Sequence, residues 1–132
     1  MADTAAKHHS VPPKDFIIFA VTKPLTQEDA DKFNAALIET GIQPVVAHTS
    51  YLINLASPDA VLWKKSVAAM EDELKRCELL GIPYLVVHPG SHKGKGVEYG
   101  LKRVAEAMDT IHGKHPNWRV MTLIEHTAGQ GD

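Results

Sequence analysis

Short apolar runs alternate with segments of helical periodicity along this chain, and that order restricts its fold more than any other feature. Residues 43–48 (QPVVAH), 83–88 (PYLVVH) and 118–125 (WRVMTLIE) have the length and character of buried strands. An earlier run, residues 16–21 (FIIFAV), is readable as a buried strand or a helix fragment. Three helical stretches lie between and around them. In the first, over residues 26–40, Thr26 can act as N-cap, and Glu28 and Asp29 suit the positive end of the dipole. Ala30, Phe33 and Leu37 share a face there, and Gly41 supplies a stop. The second starts with Ser57 as N-cap and Pro58 as first helical residue, carries Trp63, Val67, Met70, Leu74 and Cys77 on one stripe, and ends at Gly81. The third carries Val97, Leu101, Val104, Met108 and Ile111 and stops at Gly113. Gly41-Ile42 and Gly81-Ile82 mark a weak repeat of 40 residues (81 − 41). Such alternation predicts βαβ units and a parallel sheet, with the helices outside one curved sheet or on both faces of a flat one.

Length sharpens this expectation. A chain of 132 residues suits one ordinary domain. A complete (β/α)8 barrel needs about 250 residues. The formal net charge of -2 gives no global nucleic-acid footprint. The single cysteine, Cys77, excludes an internal disulfide framework and a Cys-rich zinc site, and on its apolar stripe it reads as a small buried hydrophobe. No apolar run approaches the roughly 18 residues of a membrane span. The first fifteen residues lack a secretory pattern, so a cytoplasmic protein is expected. Residues 1–20 are expected to form a leader, and residues 21–132 the folded domain.

The histidines carry the chemical information. Three successive predicted strands end in His48, His88 and Glu125. Functional groups of parallel α/β folds gather at the carboxyl ends of strands, and neighbouring strands lie about 4.8 Å apart, so these side chains can converge. Two imidazoles and a carboxylate form an ordinary ligand set for a divalent transition metal, zinc first. Taken singly, each residue has a plainer reading as a loop, capping or solvated side chain; their shared register favours the metal. His92 can support that site or meet phosphate, or be an ordinary solvated loop residue. His8, His9, His112 and His115 read as solvated. Lys93, Lys95, Lys102 and Arg103 face only Glu98 across residues 88–103, a cationic glycine-rich stretch suited to phosphate. Tyr51 and Leu52, just after His48, can wedge into a duplex or pack beneath the next helix.

At these residues the chain resembles a known family. His48-Thr49-Ser50-Tyr51-Leu52-Ile53-Asn54-Leu55, His88-Pro89-Gly90-Ser91-His92 and Glu125-His126-Thr127-Ala128-Gly129-Gln130-Gly131 are similar to motifs of the endonuclease IV family, the zinc-dependent apurinic/apyrimidinic endonucleases of base-excision DNA repair. The resemblance runs from about residue 24 to residue 132. It implies a TIM barrel with a trinuclear zinc cluster at its strand ends. His48 and His88 would hold one zinc, Glu125 would bridge to a second, and Tyr51 and Leu52 would probe damaged DNA. The implied reaction is hydrolysis of the phosphodiester 5′ to an abasic site, leaving a 3′-hydroxyl.

The match is partial. The family's opening G-A-H-x-S strand, its F-x-K-N-x-R-x-W stretch and the ligands after T-A-G-Q-G have no counterpart here. The expectation is therefore a partial (β/α)8 TIM barrel holding about half of the strand–helix units, weakly active or inactive alone, and prone to self-association through its open sheet edges. The competing readings are a metal-dependent sugar isomerase or epimerase fragment, and a non-catalytic zinc- or DNA-binding remnant.

Overall fold

The computed structural model describes residues 23–126. The leader expected over residues 1–20, the apolar run 16–21 and the T-A-G-Q-G segment lie outside the described residues. The order of elements is helix α1 (Gln27–Thr40), strand β1 (Val46–His48), helix α2 (Ala60–Leu80), strand β2 (Tyr84–Val87), helix α3 (Val97–Lys114) and strand β3 (Met121–Ile124).

Helix α1 begins where the sequence placed it. Thr26 Oγ1 accepts from the Asp29 N–H, and the Asp29 carboxylate accepts from the Thr26 N–H. This reciprocal capping box satisfies two donors that a helix start otherwise leaves unpaired. Gly41 and Gly81 close α1 and α2 in the left-handed conformation, at φ 65° and 70°. Two boundaries differ from expectation. The N-cap of α2 is Asp59, not Ser57: the Asp59 carboxylate accepts from the Leu62 N–H at 2.7 Å. Buried Ser57 instead accepts from the Asp59 N–H and shapes the preceding turn. Helix α3 also runs through Gly113 to Lys114 and is capped by His115 at φ -128°. His112 and Lys114 suit the negative end of its dipole. His115 is not solvated as expected. It stacks on Trp118 with ring centroids 3.7 Å apart, and its Nε2 lies 2.6 Å from Glu71.

The strands form one parallel sheet in the order β1-β2-β3. Each is shorter than the apolar run that encodes it. Val46 pairs with Tyr84, and Tyr84 with Met121; His48 aligns with Val86, and Val86 with Leu123. Successive side chains on a strand face opposite sides. One sheet face therefore presents Leu85 and Val87, both fully buried against Met70 and Leu74 of α2 and Ile111 of α3. Burial of each such side chain contributes about 1.5–3 kcal/mol. The opposite face carries Val46, Met121 and Leu123, which stay exposed. The helices thus pack on one face of the sheet, the curved-sheet alternative. A second tie joins α2 to α3: the Trp63 indole donates to the carbonyls of Leu55 and Arg103, and the Arg103 guanidinium lies 4.0 Å over its ring.

Candidate metal centre

The carboxyl ends of three adjacent strands bring three functional side chains together. Ladder hydrogen bonds continue past the strands, from the Thr49 N–H to the Val86 carbonyl at 2.9 Å and from the Glu125 N–H to the Val87 carbonyl at 3.0 Å. They hold the backbone next to His48 and at Glu125. His48 Nε2 lies 2.6 Å from Glu125 Oε2, and His88 Nε2 lies 3.3 Å from the same oxygen. The two imidazole centroids are 4.9 Å apart. One ligand atom from each of His48, His88 and Glu125 falls within 4.8 Å of the others, so the group could hold a metal ion.

The protonation chemistry of this group is restrictive. His48 Nδ1 is 2.9 Å from the Thr49 carbonyl, which can only accept, so Nδ1 carries a proton. The Glu125 carboxylate also only accepts. His48 is then either a full imidazolium or turns the lone pair of Nε2 towards Glu125. In the second arrangement both atoms would offer lone pairs, a donor set that could hold a cation. Burial opposes charge on His48, but the Thr49 carbonyl and the Glu125 carboxylate outweigh it and raise its pKa above the usual histidine value. The hydrogen bond from His48 holds the Glu125 carboxyl below its usual range, against the opposing effect of burial. His88 Nδ1 is buried with no hydrogen-bond partner among the described residues, so Nε2 is the ring atom that meets a protein group.

The other predicted residues are not part of this group. Tyr51 and Leu52 are 76% and 65% exposed, so they do not pack beneath the next helix. Lys93 and Lys95 are exposed on a turn closed by the Lys93 N–H on Ser91 Oγ and the Lys95 N–H on the His92 carbonyl. His92 is not a solvated loop residue. It is buried, and its Nδ1 accepts from the Gly96 N–H at the start of α3. Its ring lies against Gly100, where any Cβ would approach His92 within 3.2 Å. Asn54 also ties these loops together. Its amide donates to the Ser91 carbonyl and accepts from the N–H groups of Ser91 and Ala56. Neither charge nor periodicity marks such a residue in a sequence.

A family model described as the xylose isomerase-like TIM barrel matches residues 11–132. The chain belongs to this family. Its three-stranded parallel sheet and helices are part of such a barrel. A curated relative from Chloroflexus aurantiacus, named "Probable endonuclease 4", is 52% identical over 109 residues, which cover 83% of this chain and 38% of that protein. A relative of the same name from Methanoculleus marisnigri is 52% identical over 101 residues, covering 76% of this chain and 36% of the relative. The crystal structure of endonuclease IV from Thermus thermophilus superposes with a TM-score of 0.70 at 35% identity, covering 85% of this chain and 39% of that one. The chain thus spans about two-fifths of the length of the proteins it matches.

Proposed function

We propose that this chain carries part of the metal centre and DNA-contacting surface of a zinc-dependent apurinic/apyrimidinic endonuclease of base-excision repair, hydrolysing the phosphodiester 5′ to an abasic site. The observation behind this reading is the convergence of His48, His88 and Glu125 on adjacent strand ends, in a chain whose relatives are named endonucleases. Two imidazole nitrogens and one carboxylate oxygen suit zinc, and the Thr49 carbonyl fixes the His48 tautomer that leaves Nε2 for a metal. When bound, the ion supplies Lewis acidity to the phosphate and to the attacking water.

The chain's own residues have separate parts. His48, His88 and Glu125 hold the ion. Exposed Tyr51 and Leu52 suit insertion at a damaged base step. Lys93 and Lys95 oppose phosphate charge, and His92 braces their turn, its carbonyl accepting from the Lys95 N–H and its Nδ1 from the Gly96 N–H. A cytoplasmic location fits a DNA substrate and a lone free thiol at Cys77. Among the described residues β1 and β3 have no strand beyond them, and such edges favour self-association.

The described residues hold one three-residue group with metal-ligand geometry. The 132-residue chain alone is expected to be weakly active or inactive, so the assay is run at high enzyme concentration. The test is an abasic-site oligonucleotide assay with and without a chelator. Zinc-dependent cleavage that leaves a 3′-hydroxyl and disappears in His88→Ala supports the proposal; cleavage unaffected by the chelator or by Glu125→Ala overturns it. A sugar isomerase could share the metal ligands. The endonuclease names of the relatives and the cationic Lys93–Lys95 turn favour DNA, and turnover of aldose sugars is the control.

A further inference from the structure

We infer that Asn54 is a positioning residue for the metal centre: its side-chain amide pins the loop after β2 onto the loop after β1, and so sets His88 against His48 and Glu125. The inference rests on the metal reading above and deepens it.

The two histidines belong to different loops. His48 ends β1 and His88 directly follows β2; strand pairing sets the two ends side by side, and the joining of the two loops sets how the chain leaves each end. Asn54 makes that joint. Its Nδ2 donates to the Ser91 carbonyl at 3.1 Å, and its Oδ1 accepts from the Ser91 N–H at 3.1 Å. The amide therefore engages both polar groups of one backbone residue, as a neighbouring strand would. The same Oδ1 accepts from the Ala56 N–H, and that N–H also reaches the Pro89 carbonyl at 3.1 Å. The Asn54 backbone is in turn anchored, its N–H donating 3.0 Å to the hydroxyl of buried Ser66 in α2.

The opposite side of the joint is equally specific. Gly90 has a φ of 96°, and a Cβ there would lie 2.1 Å from Asn54 Oδ1 and 2.9 Å from the Asn54 backbone Cα. The loop rests directly on Asn54, with no room for a side chain. A residue offering both a donor and an acceptor at this length is needed. Aspartate has the same shape but cannot donate when ionised, and it would set a carboxylate oxygen against the Ser91 carbonyl. The joint leads in two directions: back through Pro89 to His88, and forward to the Lys93 turn.

The test uses the 132-residue chain with Asn54→Asp and Asn54→Ala, and Ile111→Ala as a core control with a stability loss of its own far from the loops. Zinc affinity is read by titration. The metal-free contact between the His48 and His88 rings is read by proton NOE. The expected result is a fall of about tenfold in zinc affinity in both Asn54 variants, the magnitude seen when groups that orient ligands are removed. The ring–ring NOE should weaken in both, and Ile111→Ala should change neither. Unchanged NOE and affinity in the Asn54 variants overturn the inference. So does an equal loss in Ile111→Ala, because that effect is only structural. A wild-type chain that binds no zinc, with the NOE present and lost in Asn54→Ala, refutes the metal reading and keeps the positioning role. Should Asn54→Ala fail to fold, the isosteric Asn54→Asp decides by the same readouts.

Discussion

Glu125 Oε2 meets two imidazole nitrogens at once, so the three site residues depend on one another. Replacing Glu125 leaves two neutral or mutually repelling imidazoles; replacing His48 removes the nitrogen whose tautomer the Thr49 carbonyl sets. Zinc binding is expected to fall at least about a hundredfold in either alanine variant, the upper end of what loss of a supporting group already costs. The two exposed lysines act differently. Lys93→Ala and Lys95→Ala should each reduce the salt slope of DNA binding by about one, with little change in zinc affinity, in a binding titration across salt concentrations. A third prediction concerns Glu71, well away from the site. Its hydrogen bond to His115, helped by Lys114 and opposed by burial, depresses its pKa. A depressed carboxyl contributes stability above its ordinary value of 4.5, and this is lost as pH falls through the lower folded value. Glu71→Gln should therefore flatten the acid limb of the stability profile below about pH 4.5, measured by thermal melts over pH. If the limb is unchanged, that pairing contributes nothing.

Helix α1 depends on its capping box, so Thr26→Ala should cost about 1 kcal/mol in denaturant unfolding. What the sequence made legible was whatever a local pattern encodes: the Thr26 cap, the Gly41 and Gly81 stops, the α2 stripe that buries Met70 and Leu74, and strand ends occupied by His48, His88 and Glu125. Illegible was whatever depends on a distant partner. Gly113 looks like a stop, but the helix passes it because no left-handed turn is needed there and His115 is fastened to Glu71 and Trp118. Ser57 and Asp59 are both good caps by type; only the geometry of the turn assigns the Leu62 N–H to Asp59. For His92 the sequence left a supporting, a phosphate-contacting and a solvated role open, and only its burial against Gly100 removes the solvated one. The role of Asn54 was illegible because Ser91, which its side-chain amide grips on both polar groups, lies 37 residues away.

At the scale of the molecule, the sheet sets both the site and its exposure. Parallel pairing in register puts three strand ends side by side, and one-sided helix packing leaves Val46, Met121 and Leu123 uncovered on the opposite face. In a complete barrel that face is filled by layers of side chains. The chain is therefore expected to associate as its concentration rises, and light scattering after size exclusion should give a mass above 14.4 kDa. A well-folded monomer at high concentration contradicts this. The central claim is that the three strand-end residues form a metal site. Metal analysis after zinc loading and gel filtration tests it most directly. One tightly held zinc per wild-type chain is expected, and none in His48→Ala or Glu125→Ala. A wild-type chain that retains no zinc, or variants that retain it equally, would contradict it.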